Sequence, residues 1–233
     1  MNVVTAKRNF PGRAAMAVAV AVFAGSQATA GGHFDVDDAY LLDPGQCQYE
    51  TWLSRTRVEP ARNFHFGPAC RLGPFEVGIA FDRSSTGQSA AESNLGPQIK
   101  WAFFGGSEAP FSAAVAWSTT RNFSTHGKPG RQLLLPLTWR GAENLRVHAN
   151  LGADWSTGDS VRTSRRGAAV EWALLDDRLS LIAERNRAHG LWTSRLGARL
   201  HLTPLVSLDI SAARSSPDGA RMFVVGLNQE FSR

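Results

Sequence analysis

The stretch LRVHANLGADW, Leu145 to Trp155, decides the fold. Leu145, Val147, Ala149, Leu151, Ala153 and Trp155 alternate with Arg146, His148, Asn150, Gly152 and Asp154. A period of two identifies a strand, because successive side chains leave a pleated backbone on opposite sides. One face is apolar; the other carries two basic groups, an amide and an acid. Whether the apolar face meets a protein core or hydrocarbon separates a soluble β-sandwich or lipocalin-like barrel from a membrane barrel.

The N-terminal end bears on that choice. Lys7, Arg8 and Arg13 flank the start of a short apolar run, Ala14 to Gly25, and Ala28-Thr29-Ala30 has the small-residue pattern of a cleavage site. Together they predict a secretory signal peptide over residues 1–30. The run is well below the ~20 apolar residues that a membrane-spanning helix needs. The residue directly after Ala30 is Gly31 rather than a cysteine, which argues against a lipoprotein anchor. Cleavage would leave about 203 residues, one domain by length. It also removes three cations and no acids, lowering the net charge from +5 to +2. The basic balance therefore belongs partly to the leader and does not imply a nucleic-acid partner.

Alternation like that of Leu145–Trp155 recurs throughout the rest of the chain. It predicts strands over Gln46–Arg55, Phe64–Leu72, Pro74–Arg83, Asn94–Phe104, Phe111–Thr119 and Arg131–Trp139. Six more follow: Leu145–Ser156, Arg166–Leu175, Arg178–Arg187, Leu191–Leu202, Leu205–Ala213 and Ala220–Phe231. The connections alternate in length. Gly73, GGSEAP, GAEN, Asp176-Asp177-Arg178 and Thr203-Pro204 are terse, whereas VEPARN, SSTGQSAAES, RNFSTHGKPG, TGDSVRTSR and RSSPDG are longer and polar. Only the AHG connection, Ala188 to Gly190, breaks the rule. Short turns at one end and long loops at the other are the pattern of an outer-membrane barrel, with the short turns in the periplasm.

The aromatic residues point the same way. Phe81, Trp117, Trp155 and Trp192 fall on the apolar face near the long loops; Phe75, Trp101, Phe103, Phe111, Trp139, Trp172 and Phe231 fall on it near the short turns. Two aromatic girdles around an aliphatic band match a bilayer with its two interfaces. In a soluble sandwich both the girdles and the sorted loops would be coincidences. The expected fold is an all-β, antiparallel transmembrane barrel of about twelve strands over residues 46–233, with residues 31–45 as a periplasmic N-terminal segment. Trp52 breaks the pattern, since its register places it inside with Gln48, Glu50 and Ser54.

Cys47 and Cys70 are symmetric about Val58/Glu59, so a hairpin centred there sets them opposite each other. An exported protein meets an oxidising compartment, and a structural disulfide is expected. Without a C-x-x-C spacing, a redox role is disfavoured.

The segment FDVDDAYLLDPGQCQYETW, Phe34 to Trp52, resembles the outer-membrane transporters of the MetA-pathway phenol-degradation type. LGPQIKWAFF, Leu95 to Phe104, and LSLIAERN, Leu179 to Asn186, look like later strands of that family. The resemblance implies an outer-membrane barrel passing small hydrophobic or aromatic molecules. One departure is the C-terminus: such barrels usually finish on an aromatic residue read by the assembly machinery, whereas Phe231 is followed by Ser232 and Arg233.

The inward register gathers the candidate lumen-lining residues Lys100, Arg146, His148, Asp154, Glu171, Glu184, Arg195, Arg199, His201 and Asp209. Arg195, Arg199 and His201 form a basic ladder on one strand, facing Glu171, Glu184 and Asp209. Two outcomes are open. The ladder either sets up a transverse field along a passive or weakly selective channel, or is neutralised by those acids in a closed interior. No catalytic function is expected: no histidine falls on the lipid face beside Ser194, and no G-x-S-x-G, zinc spacing or phosphate loop is present. The acidic DVDD, Asp35 to Asp38, lacks the glycine and final glutamate of a calcium loop. It reads instead as a solvated periplasmic segment or a lumen-entering tail. No cofactor or metal is implied. The expected partners are outer-membrane lipids and lipopolysaccharide, the barrel assembly machinery and a small solute.

Overall fold

Alternating residues let each segment satisfy two environments at once, and the computed structural model joins them into one closed ring. It describes residues 33–57, 61–86, 90–125, 127–175 and 178–232; the signal peptide expected over 1–30, His126 and the Asp176–Asp177 pair lie outside these. The strands are β1 (Gln46–Thr56), β2 (Ala61–Leu72), β3 (Phe75–Thr86), β4 (Glu92–Phe104), β5 (Phe111–Asn122) and β6 (Gly130–Ala142). They continue as β7 (Leu145–Trp155), β8 (Arg162–Leu174), β9 (Leu179–Ala188), β10 (Leu191–Thr203), β11 (Val206–Ser216) and β12 (Arg221–Ser232). Each pairs antiparallel with its neighbours in sequence, and β1 pairs with β12 to close the barrel. Closure leaves no edge of unpaired backbone groups, which a hydrocarbon surrounding requires.

The twelve strands correspond one to one with the predicted segments. Several run further at the long-loop end. β3 extends to Thr86, β5 to Asn122, and β8 begins at Arg162 rather than Arg166. There the apolar alternation fades because both faces are polar, yet the backbone ladder continues, so periodicity alone ends too early.

Val170, Trp172, Leu181, Leu196, Ile210 and Val225 are exposed on the outer surface, while Lys100, Glu50, Asn150, Asp154 and Asp209 are buried. This inverts a soluble core. The aromatic girdle at the short-turn end is in place, with Phe75 against Trp101 and Phe111 stacked on Trp139 at 6.3 Å between ring centroids. Trp52 lies inside, stacked on His65 at 5.0 Å. Cys47 and Cys70 are register partners between β1 and β2 and are joined in a disulfide.

The expected periplasmic N-terminal segment, residues 31–45, is corrected over its described part: from His33 to Leu42 the chain lies within the bore, where Ala39 and Asp37 are fully enclosed. Of the two alternatives for Asp35 to Asp38, the lumen-entering one holds. A twelve-stranded ring is too wide for wall side chains alone to fill, and an inserted segment occupies the remainder.

Candidate functional site

The candidate site is the bore with its inserted segment. The segment's polar groups bond to nine strands in turn. Ser211 on β11 meets the His33 ring at 2.6 Å, and Arg195 on β10 donates to the His33 carbonyl at 3.0 Å. Glu184 on β9 accepts from the amides of Asp35 and Val36 at 3.0 and 2.9 Å, and Arg165 on β8 donates to the Asp35 carbonyl at 3.5 Å. Asn150 on β7 both accepts from the Asp37 amide and donates to its carbonyl, each at 2.7 Å. Thr138 on β6 accepts from the Ala39 amide at 2.9 Å. Glu76 on β3 accepts from the Leu42 amide at 3.1 Å, and Arg71 on β2 donates to the Leu42 carbonyl at 2.7 Å. Lys100 makes β4 the ninth strand, lying 2.9 Å from Asp37 and 3.2 Å from Asp38. An irregular segment has no ladder of its own, so these side chains satisfy its buried backbone.

Glycines on the inner wall make room for it. A Cβ added at Gly197 would stand 3.0 Å from the Phe34 ring, one at Gly167 2.8 Å from Val36, and one at Gly226 3.2 Å from His33. The absence of a side chain at these three positions forms the cradle in which the segment lies.

The wall's ionic residues are paired. Arg195 contacts Glu184 at 2.8 Å and Asp35 at 2.7 Å. Arg199 holds Asp209 through two hydrogen bonds, at 2.8 and 3.0 Å, and its guanidinium lies 5.8 Å from the Phe34 ring centroid. Arg146 and His148 both face Glu171, at 3.5 and 3.4 Å, and Arg165 faces Asp154 at 3.4 Å. Of the two outcomes open for the basic ladder, neutralisation describes Arg195 and Arg199. Glu171 belongs to β7's bases instead. His201 shares the inward register, opposite Ser207, but is exposed at the short-turn rim, too close to the end of β10 to be enclosed.

Nine of the ten expected lumen residues thus lie along the enclosed bore, and the inserted segment brings three acids, Asp35, Asp37 and Asp38, that the sequence places only as tail or periplasm. Arg165 was also beyond sequence reasoning, because it falls in the stretch before Arg166 that reads as loop. His33, expected ahead of the barrel, is inside it. On the outer face, Ser194 receives a hydrogen bond from Arg185 at 3.3 Å.

A closed twelve-stranded antiparallel ring, greasy outside and ionic within, is an outer-membrane-type β-barrel of porin-like architecture. The chain belongs to the family described as uncharacterised conserved protein UCP029691, whose model matches residues 18–231. No curated protein matches the sequence. Among solved structures, a KdgM porin is similar at TM-score 0.63 and 10% identity, over 79% of this chain and 99% of that one. The COG4313 outer membrane channel from Pseudomonas putida F1 superposes at TM-score 0.60 and 12% identity, over 85% and 100%. Outer membrane phospholipase A from Escherichia coli does so at TM-score 0.51 and 12% identity, over 83% and 93%. At such identities the likeness concerns the fold alone.

Proposed function

We propose that the protein is a small-solute channel of the bacterial outer membrane, closed in this state by its own segment His33–Leu42. The observation that carries the reading is the set of contacts from that segment to nine strands, centred on Lys100 and Asp37 at 2.9 Å. A stopper held by polar side chains, rather than woven into the sheet, is removable without breaking the ladder. Opening would expose a bore lined by Lys100, Arg146, His148, Asp154, Glu171, Glu184, Arg195, Arg199 and Asp209. The similarity to channel folds supports transport. The resemblance of residues 34–52 to phenol-degradation transporters supports small hydrophobic or aromatic molecules as solutes. The reading assigns no catalysis.

A locking experiment tests it. The amide of Ala39 lies 2.9 Å from the Thr138 hydroxyl. Ala39→Cys with Thr138→Cys should therefore allow a bond between segment and wall. In planar bilayers the wild type should show discrete conductance steps, the oxidised double variant none, and mild reduction should restore them. Steps that persist in the oxidised form would refute the plug. No steps under any condition would favour the second reading, a structural barrel with a permanently salt-bridged interior, which the pairing of Arg195 with Glu184 and Arg199 with Asp209 supports.

A further inference from the structure

Arginines are sorted by face in this barrel. Of those in the bore, Arg146, Arg165, Arg195 and Arg199 each have a carboxylate partner, and Arg71 donates to the Leu42 carbonyl. On the outer face of β8–β12, near the long-loop end, stand Arg162, Arg166, Arg185, Arg187, Arg214 and Arg221, none with a carboxylate partner among the described residues. No outward position of these five strands is Asp or Glu: Glu171, Glu184, Asp209 and Glu230 all follow the inward register. The neighbouring loop acids are engaged by backbone, Asp159 with the Val161 amide at 3.0 Å and Asp218 with the Ala220 amide at 3.3 Å.

The register makes the excess sharper. Arg166 is directly opposite Arg187, and Arg214 directly opposite Arg221. Like charges facing each other across a ladder destabilise a sheet. Trp192 lies between, with the Arg166 and Arg185 guanidiniums 5.3 and 5.0 Å from its ring centroid. The girdle tryptophan therefore marks the depth of these cations as the membrane interface. Below them is a mainly apolar groove of about 720 Å³, lined by Ala168, Ala183, Leu196 and Ala212 with Phe223. Alanines on β8, β9 and β11 leave this depression, with Leu196 of β10 standing between Ala183 and Ala212.

Cations above an apolar groove fit an amphiphile with an anionic head and acyl tails. Paired guanidiniums select further. A phosphate monoester carries up to about two charges and accepts bidentate hydrogen bonds, so it can neutralise a pair that a singly charged phosphodiester cannot. We infer that this face binds lipopolysaccharide, the phosphorylated, multiply acylated glycolipid of the outer leaflet. Arg166/Arg187 and Arg214/Arg221 take its phosphates, and the Ala168–Ala183–Ala212 groove takes an acyl chain. The inference rests on the membrane reading above, with the long loops outside.

The test follows thermal unfolding of the full-length protein in detergent, with lipopolysaccharide, enzymatically dephosphorylated lipopolysaccharide or phosphatidylglycerol added. The compared variant replaces Arg166, Arg187, Arg214 and Arg221 by Gln. Lipopolysaccharide should raise the unfolding temperature of the wild type, and the concentration giving half the effect should rise at least tenfold in the variant. Without lipid the variant should unfold at the same or a higher temperature, because its like-charge pairs are gone. Dephosphorylated lipopolysaccharide should have little effect. No shift, or an equal shift with phosphatidylglycerol, would overturn the assignment. A protein that stays soluble without detergent and migrates identically heated and unheated would instead overturn the membrane reading itself.

Discussion

The ammonium of Lys100 lies 2.9 Å from a carboxylate oxygen of Asp37, and neither side chain is more than 1% exposed. One ion pair thus joins the barrel wall to the inserted segment in a place that water does not reach. Removing one member of such a pair leaves the other buried without its partner, at a cost of about 3–5 kcal/mol. Lys100→Met should therefore loosen the segment rather than the barrel. The expected outcome is a higher open probability in bilayers and new protease cleavage between Asp35 and Leu42, with the unfolding temperature of the barrel little changed. Adding Asp37→Asn and Asp38→Asn should recover much of the closed state.

Steric ejection provides an independent route. A Cβ at Gly167 would meet Val36 Cγ2 and the Asn186 side chain, both at 2.8 Å. Gly167→Ala should raise conductance as Lys100→Met does. Val36→Ala in the same chain should reverse part of the effect. If the double variant is as open as Gly167→Ala alone, Val36 is not seated there.

The Cys47–Cys70 bridge closes a sequence separation of 23 residues. On the chain-entropy model such a loop contributes about 3 kcal/mol. Cys47→Ala with Cys70→Ala should lower the temperature at which the folded band disappears on unheated gels, with conductance unaltered once the barrel is folded.

Orientation is open to direct measurement. Val147 points outward and His148 is buried in the bore, at 5% exposure. A spin label at position 147 should be relaxed by lipid-soluble oxygen and shielded from a water-soluble nickel chelate. The reverse accessibility at 147 would mean that the apolar face covers protein.

Much of this architecture was legible because lipid and bore demand opposite chemistry. Val147 and His148 are neighbours in sequence with incompatible surroundings, and that conflict sets the strand, its register and its inner face together. The Cys47–Cys70 pairing followed from hairpin symmetry alone. The inserted segment was legible only as one of two alternatives for Asp35 to Asp38, because Phe34 to Leu42 has no period and its partners are dispersed as far as Ser211, 178 residues from His33. The inward glycines Gly167, Gly197 and Gly226 were a usable signal: each leaves a gap on the polar face of a strand, where long side chains would otherwise fill space. The opposed arginines were hidden for another reason. Arg166 and Arg187, or Arg214 and Arg221, meet only once the register is known, and Arg214 and Arg162 lie beyond the strand ends that alternation marks.

The scattered attachment of His33–Leu42 dictates an order of events. Its docking groups come from β2 through β11, and the gap at Gly226 belongs to β12, so no complete receptor exists until the last strand has met the first. The part of the described chain that is made earliest must wait until everything after it has been laid down. An occupied interior is therefore a certificate that the circle was finished correctly. A ring sealed with one hairpin missing would have nowhere to seat its own beginning.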